Sequence, residues 1–233
     1  GKKIQLEDIR KSLEDFKKSK KFVYAYGNNV NQASYYLGSV ADQYFLNPTG
    51  GIELKGMAFE VIFFKEFAEK YGIGLNVIRH GKFKAAVEPF FRNDMSPENR
   101  EQMTVLLQDI WSETSSQIMK SRNLKQEEFN TVVDSLYGII PDLSLKHKLA
   151  DKLAQKSEYE DFIKSKLNID KNDKLNKVSI ANYINSQVNT DFSTEKIGVL
   201  YAAGAIYNGK KYSEINSEKY IQYIRDLAED DEI

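Results

Sequence analysis

Lys84 is the side chain with the clearest chemical promise. It sits in Gly81-Lys82-Phe83-Lys84-Ala85-Ala86-Val87-Glu88-Pro89-Phe90-Phe91, with Phe83, Ala85, Ala86, Val87, Phe90 and Phe91 as its apolar neighbours in sequence. A lysine in water keeps its proton up to pH ~10.4 and is no base at neutrality. A lysine buried among apolar groups can release that proton near neutral pH and act as a general base. Glu88 opposes this, because a nearby carboxylate favours the ammonium form. By these criteria alone Lys82 is an equal candidate, and a solvated loop lysine is the commoner arrangement. Ser34 and Ser39 are the most tempting local nucleophiles. Helix packing beside Tyr35 and Tyr36 accounts for them more simply.

Composition removes other chemistries. The 233 residues contain no cysteine, which excludes disulfides, zinc ribbons, iron–sulfur clusters and a thiol nucleophile. His80 and His147 are the only histidines, so a histidine-based metal site or a Ser/His/Asp triad is not expected, and neither cofactor nor metal is implied. With 33 basic and 34 acidic residues, the net charge of −1 carries no electrostatic footprint for nucleic acid or an anionic membrane. No apolar run approaches the ~20 residues of a membrane span. The chain opens at Gly1 directly into a helical pattern, as expected of a piece of a longer protein.

The elements that must position these residues alternate between the two periodicities. Leu6, Ile9, Leu13 and Phe16 define one apolar helix face, and the Lys17-Lys18-Ser19-Lys20-Lys21 run reads as its solvated, dipole-favoured end. Phe22–Tyr26 reads as a strand ended by the turn signal Gly27-Asn28-Asn29, and a small-residue helix follows over about 31–42. Tyr44-Phe45-Leu46 reads as a strand stopped by Asn47-Pro48-Thr49-Gly50-Gly51, with a further short strand at Ile52 and Leu54. Phe59–Tyr71 predicts an apolar helix with Gly72 as its C-terminal cap, and Leu75–Arg79 a strand. Ser96-Pro97-Glu98 is a helix start, with Ser as N-cap, Pro in the first turn and an acid at the positive dipole end. Met103, Leu106, Leu107, Ile110, Trp111 and Ile118 carry that helix to about Arg122, with Trp111 as core. Residues 125–167 read as nearly all helix, 171–176 as a polar linker and Val178–Tyr183 as strand or extended connector. Asp191–Thr194 reads as a second linker, Ile197–Tyr201 as a strand opening a new unit, and 217–228 as a last helix.

An ordered set of segments resembles the signal peptide peptidase A (protease IV) family in its long, two-module form. The segments are Asp8-Ile9-Arg10, Leu13–Phe16, Tyr24–Gly27, Gln32, Tyr35-Tyr36-Leu37, Ala41-Asp42, Leu46-Asn47-Pro48, Gly56, Lys82–Arg92 and Asp94-Met95-Ser96-Pro97. The resemblance implies an α/β fold with a crotonase-like (ClpP/crotonase) module over 1–124, a helical connector over 125–194 and the start of a second such module over 195–233. It implies a serine peptidase with a Ser/Lys dyad that degrades cleaved signal peptides, with Lys84 as general base and Lys82 as a neighbour without a proton-transfer role. The nucleophile would lie in the second module. The chain has no Ser-Pro-Gly-Gly-Ser and no Gly-x-Ser-x-Gly segment, so it is expected to hold half a dyad and to be inactive alone. The parent would be a homo-oligomer anchored in the bacterial cell membrane, with its catalytic part on the periplasmic or outer side. Two other readings stay open: a non-catalytic module that shapes assembly and the substrate cleft, and an acyl-CoA-processing enzyme of the same fold.

Overall fold

The computed structural model describes residues 2–78, 80–81, 84–186, 197–207 and 215–230. It has mixed α/β content and divides into two compact units, Gly1–Leu175 and Asn176–Ile233.

The first unit begins with α1 (Lys2–Lys18). Its inward face is rotated from the predicted one. Ile9 and Phe16 are 49% and 45% exposed, whereas Arg10 is only 2% exposed, so the face runs through Leu6, Arg10 and Leu13. The Arg10 guanidinium donates to Tyr36 O, to Ser39 Oγ at 2.9 Å, to Gln117 O at 3.0 Å and to Ser121 Oγ at 2.5 Å, and lies over the Tyr36 ring. A charge enters here because it satisfies the ends of two other helices. At the end of α1, Lys17 pairs with Asp42 at 2.8 Å and also donates to Val40 O.

A three-stranded parallel sheet of order β1-β2-β3 follows: β1 (Tyr24–Val30), β2 (Gln43–Ile52) and β3 (Lys152–Leu153). Both predicted turn signals lie inside strands. The register pairs Gly27 with Leu46 and then Asn29 with Gly51, so β2 absorbs the extra residues as an irregularity. Asn47 makes this possible: its amide donates to Asn28 Oδ1 and Tyr26 Oη, and its own Oδ1 accepts from the Thr49 amide. Side-chain bonds satisfy the bulged backbone that a tight turn would otherwise have served. Strand β3 lies within the stretch read as nearly all helix.

Between the strands, α2 (Gln32–Gly38) is capped by Asn31, whose side chain accepts from the Ser34 amide. Tyr35 and Tyr36 of α2, Tyr44, Leu46 and Ile52 of β2, and Leu54 form the core with Ile118, Phe129, Val132 and Leu149. The last four come from α5 (Pro97–Arg122), from α6 (Gln126–Asp134) and from the residues after α7 (Pro141–Lys146). Helix α8 (Lys156–Lys166) sets Tyr159 and Phe162 against Tyr26, Phe45 and Tyr24. Trp111 is half-buried against the core beside Phe129, and Arg122 makes a two-pronged bond to Asp151 at 2.8 and 3.0 Å.

The apolar helix predicted over Phe59–Tyr71 forms only as α3 (Lys65–Lys70). The chain before it is drawn to the lysine turn, where the Phe64 amide donates to Pro89 O at 2.7 Å and its ring stacks on Phe90. Gly72 does cap the helix, at φ +67°, where the left-handed backbone costs glycine least. The described part of the predicted strand at Leu75–Arg79 has no strand partner among the described residues, and Arg79 lies outside them.

In the second unit Ile180–Ser186 is helical (α9), not strand. The predicted strand Ile197–Tyr201 is irregular and largely exposed. The strands are instead the short parallel pair β4 (Ile206–Tyr207) and β5 (Ile215–Asn216). Helix α10 (Ser217–Ala228) starts where its sequence places it, with the Asn216 side chain accepting from the Lys219 amide. Asp191–Thr194 lies outside the described residues.

Candidate active site

Gly81, at φ +105°, turns the chain into the lysine segment. Lys82 and Phe83 lie outside the described residues. Lys84 precedes a single 3-10 turn, Ala85–Val87, which runs directly into α4 (Glu88–Phe91). The Lys84 amide reaches Gly81 O at 3.5 Å, a long bond. Its side chain is exposed, and its ammonium makes no ion pair among the described residues. Of the flanking apolar residues expected to surround it, Phe83 lies outside the described residues, and Ala85, Ala86 and Phe90 have other neighbours. Ala85, Ala86 and Pro89 line a cleft of about 360 Å³ with Phe59, Val61 and Met103, while Phe90 turns to Phe64. Among the described residues no serine hydroxyl is hydrogen-bonded to Lys84.

The described hydrogen bonds of the Glu88 carboxylate run to the start of α5, not to Lys84. That carboxylate is fully buried, and Oε2 accepts from the Ser96 amide and from Asn99 Nδ2, each at 3.1 Å. Ser96 is the N-cap of α5, its Oγ accepting from the Asn99 amide at 3.2 Å. Burial pushes the Glu88 carboxyl up. The bonds from Ser96 and Asn99, with Arg92 nearby, outweigh burial and hold it below the usual carboxylate range. Sequence reasoning found the helix start at Ser96 but missed its link to Glu88. A capping serine is legible from local spacing, whereas a carboxylate eight residues upstream carries no periodic signal.

The second concave feature lies at the carboxyl ends of β1 and β2, a cavity of about 490 Å³ lined by Asn29, Asn31, Thr49, Gly50, Gly51 and Glu53 among others. Helix α2 starts beside it. Ser34 is exposed on the first turn and its hydroxyl makes no hydrogen bond among the described residues. Ser39 is fully buried, donating to Tyr36 O and accepting from Arg10, which is a packing role. Gln32 closes on the chain after β2, accepting from the Lys55 and Gly56 amides and donating to Gly56 O. The described residues bring no carboxylate, imidazole or amine within hydrogen-bond reach of either serine hydroxyl. His147 stacks on Tyr137 at 4.9 Å, and no group of three His, Cys, Asp or Glu among the described residues is arranged to hold a metal. No described helix is long and apolar enough to cross a membrane.

Residues 15–170 match peptidase family S49. The chain is 30% identical over 234 residues to Protease 4 of Salmonella typhi, an alignment covering 97% of this chain and 38% of that protein. It is 37% identical over 122 residues to Protease 4 of Haemophilus influenzae, covering 52% of this chain and 20% of that protein. It is 29% identical over 234 residues to the chloroplastic serine protease SPPA of Arabidopsis thaliana, covering 97% and 34%. The chain thus spans well under half the length of these relatives.

Proposed function

The chain belongs to peptidase family S49, and from that membership we propose that it is part of a serine peptidase in which Lys84 is the general base of a Ser/Lys dyad. The serine would be supplied from outside this chain. In the reaction, neutral lysine Nζ takes the proton from the serine hydroxyl, and the serine oxygen bonds to the peptide carbonyl carbon. The resulting ammonium gives its proton to the amine as the C–N bond breaks. Water, deprotonated by the same lysine, then releases the acyl group and restores the serine.

One observation supports the reading, the match of residues 15–170 to peptidase family S49; Lys84 itself is exposed, with no ion pair among the described residues, on a turn tied to the start of α5. An exposed lysine in water is no base at neutrality. The dyad therefore requires a further surface, bearing the serine, to cover Lys84 and exclude water. That requirement is consistent with inactivity of this chain alone. The finer expectations belong to the same reading: crotonase-like modules joined by a connector, cleaved signal peptides as substrates, a homo-oligomer, and a membrane-anchored parent with its catalytic part outside the cytoplasm.

A second reading has its own observation. Met57, Phe59, Ile62, Phe67, Tyr71 and Ile78 are 42–94% exposed, an apolar stretch suited to an assembly or cleft-shaping module with Lys84 merely structural. One experiment separates the two. Lys84→Ala in the full-length protein, assayed on a fluorogenic peptide, is expected to lose ~10²-fold or more in turnover, the usual contribution of a general base. Unchanged turnover would remove the dyad and leave the segment as scaffold.

A further inference from the structure

The lysine turn is lightly built, yet one of its residues is wholly buried. Lys84 and Ala86 are exposed, Phe90 is 43% exposed, and the Lys84 amide bond is long. Glu88, four residues on, is 0% exposed. Its Oε2 bridges two donors at the start of α5, the Ser96 amide and Asn99 Nδ2. Helix α5 is a firm support, because Ser115, Ile118 and Arg122 anchor its far half in the core. An anion at a helix start is favoured both by the unsatisfied amides there and by the helix dipole.

We propose that Glu88 is a positioning residue: its carboxylate clamps the lysine turn to the first turn of α5 and so fixes where Lys84 is presented. The inference rests on the reading of Lys84 as general base. Proton transfer needs the donor and acceptor at hydrogen-bond reach, and a displacement of about 1 Å can cost ~10²-fold in rate. Among the described residues its other ties include the stack of Phe90 on Phe64 and the cleft that Ala85, Ala86 and Pro89 share with Phe59, Val61 and Met103. The Phe64 amide holds Pro89 O, but Phe64 itself belongs to a segment that is 44% exposed at that ring. Without the carboxylate the turn would lose its buried polar tie to the first turn of α5. Glutamine keeps the length and one acceptor oxygen of glutamate, so it would retain part of the clamp. Alanine would lose all of it.

The test compares Glu88→Ala, Glu88→Gln, Lys84→Ala and the Lys84→Ala/Glu88→Ala double variant in the full-length protein, by peptide hydrolysis and by amide hydrogen exchange. Glu88→Ala is expected to lower kcat by ~10–10²-fold with little change in KM, and Glu88→Gln to recover part of that loss. In the Lys84→Ala background, removal of Glu88 should cost nothing further. Exchange should quicken over residues 84–99 in Glu88→Ala while the sheet stays protected, which also establishes that the variant is folded. Unaltered exchange at the turn, or an equal loss of activity in the Lys84→Ala background, overturns the clamp. If Lys84→Ala is fully active while exchange at the turn still quickens in Glu88→Ala, the clamp is real and the dyad reading alone fails.

Discussion

Arg10 and Glu88 show how single charges organise this chain. Each is almost fully buried, and each satisfies backbone groups of an element other than its own. A buried charge survives only when its hydrogen bonds are made, and removing it strands the partners. Arg10→Ala would remove the guanidinium donor shared by Tyr36 O, Ser39 Oγ, Gln117 O and Ser121 Oγ and would open a hole between α1, α2 and α5. The expected cost is about 3 kcal/mol, read as a drop in the urea midpoint at constant m. A loss under about 1 kcal/mol would mean that water replaces the guanidinium at no penalty. Neither residue was legible as structural, since amphipathic spacing assigns charges to the solvent side. Lys84 was legible as a candidate from its neighbours, but its exposure was not, because Ala85 and Ala86 line a cleft with Phe59 and Met103, and Phe90 stacks on Phe64.

At the scale of elements, close approach decides more than propensity. Gly138 lies where the 3-10 turn Tyr137–Ile139 meets β2, and a Cβ there would sit 2.3 Å from Ile52 O. Backbone cannot yield as a side-chain end can. Gly138→Ala should therefore destabilise by about 2–3 kcal/mol, as overpacking does, and thermal unfolding of the variant checks it. A variant as stable as the parent would show that the turn can lift off the strand. Helix α5 was readable from its start because Ser96, Pro97 and Glu98 cap it locally, and α10 was read over 217–228, with its Asn216 cap seen only in the structure. The irregular β1–β2 pairing was not, because Gly27-Asn28-Asn29 and Asn47–Gly51 carry turn chemistry that cross-strand bonds from Asn47 override. Phe59–Phe64 has helical spacing, yet the Phe64 amide is taken by Pro89 O and its ring by Phe90.

For the molecule as a whole, titration of buried groups sets a pH window. Burial raises Tyr35 well above the ordinary phenol value and pushes Tyr44 up to about 12, with Arg122 opposing in both cases. A raised folded value means that the neutral phenols stabilise the fold fully below pH ~10, and that this support is lost as pH climbs through the folded values. Glu88 and Asp42 are shifted the other way: burial raises each, but hydrogen bonds from Ser96 and Asn99, and from Lys17 and Val23, win. Their support is full above the ordinary carboxylate values of pH ~4 and falls away below them. Circular dichroism against pH should therefore show a plateau bounded by an acid limb under pH ~4 and an alkaline limb above pH ~10. Glu88→Gln should flatten the acid limb, and an unchanged limb would remove Glu88 from its cause.

The sequence by itself determined the α/β class, the capped helix start at Ser96, the absence of thiol chemistry and, through an ordered set of segments, the family. Those properties are written in local patterns: capping residues, composition and short motifs act over a few positions and do not depend on what lies across the fold. Tertiary structure alone decided that Arg10 goes inside, that turn signals become bulged strand, that Lys152–Leu153 joins the sheet, and that Glu88 rather than the apolar neighbours braces the lysine turn. Each of these follows from a contact between residues distant in the chain or from a backbone group that must find a partner, and neither leaves a periodic trace in sequence.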